Sequence, residues 1–368
     1  TKEKKRGNPP SYQAVFCMDD RESPLRTIAE RLDPHLETWG TAGHYGVLMM
    51  YHHSNNAFSK KHCPAPANPQ YIIREVSRDK LKGKNPFEYV RELFFPLWNK
   101  KISPIEEIEV DSTLSIFRSD EDLTLVSGLK PGYTFEEAAD LVYSQLQLIG
   151  LLKLSELVVI IGHGSTSANN PYFTSYGCGA CSGRSGEVNA RVFCSLANHP
   201  QVRELILKKH QFVISDRTYF QPGFHDTTMD LLKLFDTSKL PTHLLDLLTS
   251  FKEKFGEAIK LHALKRSEQF SFKTYKGIKE TRFRSLSFFQ PRPELGHTNV
   301  SYSIVGRREH FKHIDINRAA FFQSYDPRID PDASILTTSL SAVIPVTSGI
   351  NLDYYFSSVD NQRLGAGS

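Results

Sequence analysis

Apolar runs that end in polar residues recur along the chain and predict its main strands. Tyr12–Phe16 and Leu157–Ile161 are short and apolar enough to be buried strands, and Arg217–Phe224 predicts another. Apolar residues recur at helical spacing within Phe135–Leu152 and Glu187–His199, which lie between these strands. This alternation of strands and helices predicts an α/β fold with a largely parallel sheet and flanking helices.

The residues that follow the first strand have the features of a helix start. Ser23 is a suitable N-cap, and Pro24 fits the first helical position, where its missing N–H costs nothing. Leu25, Ile28 and Leu32 then fall on one face of the predicted helix. The turn before this helix lies at the carboxyl end of a strand, where open α/β sheets bind their ligands.

The rest of the pattern divides the chain into segments. Leu231–Arg266 is predicted to be helical, Val300–Val305 to be a late strand, and Phe87–Trp98 to be an amphipathic stretch. The five predicted segments are the first part of an α/β core at 1–54, a proline-rich insertion at 55–131, the second part of the core at 132–230, a helical insertion at 231–290, and C-terminal strands packing on the core at 291–368.

Composition narrows the function classes. With 368 residues and 39% hydrophobic residues, the chain can bury a substantial core. Its net charge of +4 is too weak to indicate nucleic-acid binding, and no dense basic stripe is present. No apolar run approaches the roughly 18 residues of a membrane span, and the polar start lacks the apolar region of a secretory signal. Neither end carries a closing element, from which we expect an internal portion of a longer protein.

The cysteines indicate a reducing, cytosolic setting. An odd number at irregular spacing in a large chain argues against a disulfide framework. Cys194 is predicted to be a small buried hydrophobe in a helix, and Cys63, in a proline-rich loop, to lie at the surface. The five cysteines are Cys17, Cys63, Cys178, Cys181 and Cys194.

Metal-binding side chains gather at the predicted strand ends. Cys17 and Asp19 follow the first strand, and His163 ends the second. Cys178 comes fifteen residues after His163, beyond a glycine-rich loop that can fold back. Thiolate, imidazole and carboxylate are the ligands that zinc takes in tetrahedral sites. Cys17, Asp19, His163 and Cys178 therefore make a complete predicted zinc set.

Arg21 is the neighbour of this set that matters most. From two residues beyond Asp19, its guanidinium could form a bidentate pair with that carboxylate. Such a pair would hold Asp19 off the metal and open a position for water. Zinc lowers the pKa of a bound water to about 7, which gives hydroxide near neutral pH.

Two alternatives use the second cysteine of Cys178-Gly-Ala-Cys181. Cys181 could replace Asp19 as the fourth ligand and close a purely structural zinc site, and spacing alone leaves that open. The CxxC pair could also be redox-active, although no strand leads into it and no helix starts directly after it.

Two further motifs have ordinary explanations beside functional ones. Gly162-His163-Gly164-Ser165 suggests an oxyanion loop, but it lacks the G-x-S-x-G form around a serine nucleophile. His225 and Asp226, at the end of a third strand, either support the metal site from behind or only begin a capped helix.

Longer motifs bring a family resemblance. Cys17-Met-Asp-Asp-Arg21 has the C-x-D-x-R form of the β-carbonic anhydrases, but the H-x-x-C spacing of that family is absent. Taken in order over almost the whole chain, the motifs instead resemble the DabA family of inorganic carbon transporter subunits. These motifs are CMDDRESPLRTIAERL, TWGTAGHYG, GHGSTSANNPY, YGCGACSGRSGEVNARV, HDTT, RPELGHTN, IVGRR and INLDYYFSSVDN.

The resemblance implies a site and a chemistry. It implies a β-carbonic-anhydrase-like core with helical or irregular insertions, and Zn2+ held by Cys17, Asp19, His163 and Cys178. It also implies that Asp19 and Arg21 form a dyad that gates hydration of CO2 to bicarbonate by zinc-bound hydroxide. The alternative function is a structural-zinc module without catalysis.

The resemblance also implies a setting. The expected partner is DabB, a membrane protein similar to cation-translocating antiporter subunits, and the expected location is peripheral, on the cytoplasmic side of the inner membrane. CO2 hydration is expected to need that partner. Self-association, as in β-type anhydrases, is left open.

Overall fold

The computed structural model describes residues 10–64, 67–77, 102–119, 121, 125–169, 177–290, 297 and 299–364. The predicted amphipathic stretch Phe87–Trp98 lies outside these residues. The strands, numbered in chain order, are β1 (Tyr12–Cys17), β2 (Leu36–Thr41), β3 (Met49–His53), β4 (Lys60–His62), β5 (Tyr71–Ser77), β6 (Ile105–Ile108), β7 (Ser112–Ser115), β8 (Lys130–Pro131), β9 (Leu157–Gly164), β10 (Tyr219–Asp226), β11 (Leu231–Phe235), β12 (Tyr302–Gly306) and β13 (Ala320–Ser324). The α-helices are α1 (Glu22–Leu32), α2 (Phe135–Ile149), α3 (Glu187–Asn198), α4 (Pro200–His210), α5 (Leu245–Glu268), α6 (Ile278–Leu286), α7 (Ser334–Val359) and α8 (Asn361–Leu364).

A six-stranded sheet with the order β2-β1-β9-β10-β11-β6 forms the centre of the fold. β1 runs parallel to β2 and β9, and β10 runs parallel to β9. β11 is antiparallel to β10 and parallel to β6. The predicted α/β fold with a largely parallel sheet and flanking helices is therefore confirmed.

Both faces of this sheet are buried, as parallel sheets require. Phe16 and Val159 face a cluster that includes residues of α1 and α5. Val15 and Ile160 face the opposite cluster, which α2, α3 and α4 complete. Full burial of each such side chain contributes about 1.5–3 kcal/mol. The alternation along each strand decides which of the two clusters a side chain joins.

Two predicted boundaries were wrong. α1 begins at Glu22 rather than at Pro24, and its N-cap is Arg21 rather than Ser23. The carbonyls of Asp19 and Asp20 accept hydrogen bonds from the amides of Glu22 and Ser23, which starts the helix earlier. Leu231–Phe235 is a strand rather than the start of a helix, because it turns back and pairs with β10. The long helix of this region begins only at Leu245.

Smaller sheets flank the centre. A five-stranded sheet contains β3, β4, β5, β7 and β8, and the last four of these strands lie in the predicted proline-rich insertion. Cys63, predicted to lie at the surface, is fully buried beside this sheet. β12 and β13 form a parallel pair, which confirms the late strand. Within the described ranges, none of the helices combines the length and the apolar character needed to cross a bilayer.

Candidate metal centre

Two neighbouring strands bring Cys17 and His163 to the same edge of the sheet. Cys17 is the last residue of β1, and His163 is the penultimate residue of β9. In the parallel register, Phe16 lies opposite Ile161, so the two strands end side by side. Because carboxyl ends of parallel strands share one edge, the thiol and the imidazole meet there.

A tight loop returns Cys178 to this edge. The Gly186 amide donates to the His163 carbonyl at 2.9 Å, which anchors the end of the loop on β9. The Cys178 amide donates to the Arg184 carbonyl at 3.0 Å and closes the loop on itself. At Gly177 a side chain is impossible, because a Cβ would lie 2.1 Å from a backbone oxygen. The glycine-rich sequence is thus what lets the chain fold back.

Cys17, His163 and Cys178 form a compact, buried donor group. Their ligand atoms all lie within 4.8 Å of one another, and each residue is at most 3% exposed. Both ring nitrogens of His163 are buried without a hydrogen-bond partner among the described residues. Buried polar atoms normally have partners, so this pair of orphaned nitrogens fits an imidazole placed to bind a metal.

Gly43 keeps the space beside the sulfurs open. A Cβ at this position would lie 2.8 Å from the Cys178 sulfur and 3.0 Å from the Cys17 sulfur. Real Cβ contacts are longer than this, so only glycine leaves the two thiols in place. The donor chemistry, two sulfurs and one nitrogen, suits zinc and related transition metals. The three residues could therefore bind a metal ion.

The buried surroundings of Cys17 and Cys178 oppose ionisation of the two thiols, which a bound cation would favour.

 Burial raises the pKa of Cys17 well above its usual range, and the neighbouring thiol adds to the effect. Burial likewise raises the pKa of Cys178. A metal ion binds the thiolate form and displaces the thiol protons. Metal binding would therefore stabilise the two thiolates that burial alone disfavours.

Asp19 and Arg21 form the predicted bidentate pair at the rim of this group. Arg21 Nε donates to Asp19 Oδ1 at 2.7 Å, and Nη2 donates to Oδ2 at 2.9 Å. Arg21 Nη2 also donates to the Gly177 carbonyl at 2.9 Å, which ties the pair to the loop that carries Cys178. Asp19 Oδ2 lies 3.7 Å from His163 Nε2. The carboxylate therefore faces the metal-binding group while both of its oxygens are bound by arginine.

His297, which the sequence did not single out, completes the surroundings of Asp19. Its Nε2 lies 3.6 Å from Asp19 Oδ2, and its Nδ1 hydrogen-bonds to Asp20. Arg318 donates to the same Asp20 carboxylate at 2.9 Å. Burial alone would raise the pKa of Asp19, but the charges of Arg21 and His297 outweigh it and hold the pKa well below its usual range. The ligand atoms of Asp19, Asp20 and His297 also lie within 4.8 Å of one another. Because Arg21 and Arg318 already pair with the two carboxylates, we assign this second group to ion pairing rather than to a metal.

Glu22 and His225 lie behind His163. Glu22 Oε1 is 3.7 Å from His163 Nδ1, and the Glu22 carboxylate accepts from His225 Nδ1 at 2.9 Å. His225 therefore lies behind the donor group and contacts it through Glu22, which fits the first of the two roles that the sequence left open. The predicted capped helix at Asp226 was wrong, because a turn and β11 follow this residue. Its carboxylate accepts hydrogen bonds from the amides of Thr228 and Met229 in that turn, and from the amide of Thr166 after β9. Glu22 was missed, although it directly continues the Asp19–Arg21 motif.

Cys181 lies outside the compact group. Among the described residues, the set of donors within 4.8 Å contains Cys178 but not Cys181. The Cys181 thiol instead donates weakly to Asn189 Oδ1 at 3.8 Å. All five cysteines are free thiols. This arrangement favours Cys178 alone of the CxxC pair as a metal ligand.

Fold and site together define an α/β protein with a buried Cys–His–Cys group, able to bind a metal, beside an Asp–Arg ion pair. The family model described as probable inorganic carbon transporter subunit DabA matches residues 1–101 and 87–368. The chain belongs to this family.

Curated relatives give the same result. The chain is 36% identical to the probable inorganic carbon transporter subunit DabA of Nitrosospira multiformis, over 97% of this chain and 43% of that protein. It is 36% identical to the protein of that name in Azotobacter vinelandii, over 97% of this chain and 46% of the relative. For the Methylococcus capsulatus protein, the identity is 34% over 98% of this chain and 38% of the relative. The chain thus spans less than half the length of these relatives.

Proposed function

We propose that the chain holds a zinc ion through Cys17, His163 and Cys178, with Asp19 as an exchangeable fourth ligand. The observation that carries this proposal is the convergence of three buried donors within 4.8 Å beside a carboxylate held by arginine. Four donors of this kind match the tetrahedral set that zinc takes, and three leave one position open. Asp19 could reach the ion only by giving up contacts with Arg21.

The proposed reaction is the hydration of CO2, in which CO2 and water give bicarbonate and a proton. Zinc bound at this site would supply Lewis acidity that lowers the pKa of water to about 7. Arg21 binds both oxygens of the Asp19 carboxylate and so keeps this carboxylate from taking the fourth coordination position of the zinc. The buried walls exclude bulk water, and the Arg21 guanidinium places a positive charge where an anionic product would form.

We further propose that this chemistry serves inorganic carbon uptake within a complex. The relatives are named as probable subunits of an inorganic carbon transporter, and a subunit acts with a partner. The proposed partner is a DabB-type membrane protein, with this chain peripheral on the cytoplasmic side of the inner membrane. Arg21 and His297 both hold Asp19, so a shift between its two positions needs a conformational change, which partner binding would supply.

The test uses the full-length protein, co-expressed with its membrane partner, and follows uptake of labelled inorganic carbon by cells. Cys17→Ser and Cys178→Ser should each abolish uptake and remove zinc from the purified protein. The matched control is Cys194→Ala, which removes a buried thiol in α3 that is not part of the donor group. Uptake that persists at the wild-type rate in Cys17→Ser would refute the proposal.

A further inference from the structure

A buried carboxylate lies between two imidazoles behind the proposed zinc ligands. Glu22 Oε1 is 3.7 Å from Nδ1 of His163, and the two Glu22 oxygens are 3.0 Å and 2.9 Å from Nδ1 of His225. All three side chains have no measurable exposure to solvent. A charged group buried this deeply is costly unless it is paired, so its position needs a reason.

The three side chains come from three adjoining elements. His163 and His225 lie directly opposite each other on the parallel strands β9 and β10. Glu22 is the first residue of α1, and its amide donates to the Asp19 carbonyl at 3.1 Å. The short turn that presents Asp19 to the front of the site therefore also presents Glu22 to its back.

The two nitrogens of His163 face different groups. Nε2 lies on the side of Asp19, and Nδ1 lies on the side of Glu22. An imidazole that binds a metal through one nitrogen carries its proton on the other, and that N–H almost always donates to a carboxylate, a carbonyl or water. The distance of 3.7 Å is longer than a hydrogen bond, so the inferred contact requires the ring and the carboxylate to approach each other when the metal binds.

We infer that Glu22 is a positioning residue for the metal centre. Its carboxylate accepts a hydrogen bond from the Nδ1–H of His163, which fixes the tautomer that offers Nε2 to the metal. His225 donates a second hydrogen bond from its own Nδ1–H to Glu22 and holds the carboxylate in place. The inference rests on the proposed function, since it requires that a metal binds at His163.

The test compares zinc affinities of full-length variants by competition with a chelator. Glu22→Gln keeps the size of the side chain but weakens the acceptor, and zinc should bind roughly 10- to 100-fold more weakly. Glu75→Gln is the matched control. It makes the same change at a buried glutamate whose partners, Tyr51, Ser112 and Arg191, are outside the donor group, and its zinc affinity should stay at the wild-type value.

The outcomes separate the two proposals. A wild-type protein that binds no zinc refutes the proposed function. A wild-type protein that binds zinc, with an equal affinity in Glu22→Gln, refutes only the positioning role. Weakened binding in both glutamine variants would also refute it, since general destabilisation would then be the cause.

A measurement on the unaltered protein covers the case in which Glu22→Gln does not fold. In zinc-loaded protein labelled with 15N-histidine, NMR distinguishes the protonated ring nitrogen from the metal-bound one. His163 should show a proton on Nδ1 that is protected from exchange with solvent, and the signal should change when zinc is removed. Zinc bound to Nδ1, with the proton on Nε2, would overturn the inference.

Discussion

Arg21 binds both carboxylate oxygens of Asp19, at 2.7 Å and 2.9 Å, while Asp19 Oδ2 stays 3.7 Å from the imidazole of His163. The same guanidinium donates to the carbonyl of Gly177, next to Cys178. One arginine thus connects the carboxylate to the loop that supplies a proposed zinc ligand. In the proposed function, Arg21 holds Asp19 beside the donor group, and this position of the carboxylate would separate a reactive site from a closed one.

Replacing Arg21 tests whether the site is reactive or structural. In Arg21→Ala, Asp19 loses its partner and should move to the metal, so zinc content should remain and uptake of labelled inorganic carbon should be lost. Removing one partner of a buried ion pair costs about 3–5 kcal/mol of stability, so the free energy of unfolding must be measured alongside.

Arg191→Ala is the control for that loss of stability. Arg191 is a similarly buried arginine that donates to Glu75 at 2.8 Å, away from the donor group. Its replacement should cost comparable stability and leave uptake per folded molecule unchanged. Full uptake in Arg21→Ala would indicate that zinc has only a structural role.

Gly43 gives a prediction about the space beside the sulfurs. In Gly43→Ala, the new methyl group would lie 2.8 Å from the Cys178 sulfur and 3.0 Å from the Cys17 sulfur, so the thiols must move apart. Zinc bound per protein molecule, measured by elemental analysis, should fall sharply. Gly349→Ala is the control, because a Cβ there meets nothing within 4 Å. An alanine at position 43 that leaves the zinc content intact would show that the metal binds elsewhere.

Cys181 distinguishes the two candidate ligand sets. Its thiol contacts Asn189 and lies outside the compact group, so Cys181→Ser should keep zinc and uptake. Cys178→Ser should lose both. The zinc content of the two purified variants provides the comparison. Loss of zinc in Cys181→Ser would favour the structural zinc site, in which Cys181 replaces Asp19 as the fourth ligand. Loss of uptake with zinc retained would favour redox chemistry at the CxxC pair.

Glu75 predicts part of the pH dependence of stability. Burial would raise its pKa, but hydrogen bonds from Arg191, Ser112 and Tyr51 outweigh this and lower it. A carboxyl whose folded pKa is depressed stabilises the fold above its unfolded pKa, about 4.3 for glutamate, and this contribution is lost as the pH falls through the folded value.

The corresponding measurement is urea unfolding across this acidic range. The free energy of unfolding should fall with decreasing pH, and the fall should be shallower in Glu75→Gln, which has no carboxyl to protonate at this position. Parallel curves for the two proteins would contradict the assigned contribution.

The strand ends could be predicted because their signal is local. Uniformly apolar runs that stop at Cys17 and before His163 identify buried parallel strands, and parallel strands share a carboxyl edge. The pairing of Asp19 with Arg21 was also predicted from their spacing. Cys178 was harder, because the loop folds back through contacts that no short pattern displays. For the fourth ligand, where spacing left both Asp19 and Cys181 open, the family resemblance favoured Asp19.

The residues that were missed depend on tertiary contacts. Glu22 and His297 reach the site only through the turn before α1 and a distant part of the chain, and a single histidine or glutamate carries no periodic signal. The sequence predicts a helix at Leu231–Phe235 because a short apolar run fits a helix or a strand. The segment is a strand because it pairs with β10. Gly43 lies within the motif TWGTAGHYG, but its role becomes visible only once the positions of the Cys17 and Cys178 sulfurs are known.

The central claim is that Cys17, His163 and Cys178 enclose one zinc ion. The most direct measurement is an anomalous difference map, recorded at the zinc absorption edge from crystals of the protein. A single strong peak should lie about 2.3 Å from the sulfurs of Cys17 and Cys178 and about 2.0 Å from His163 Nε2. No peak at this position, or a peak held by Cys178 and Cys181 away from His163, would contradict the account.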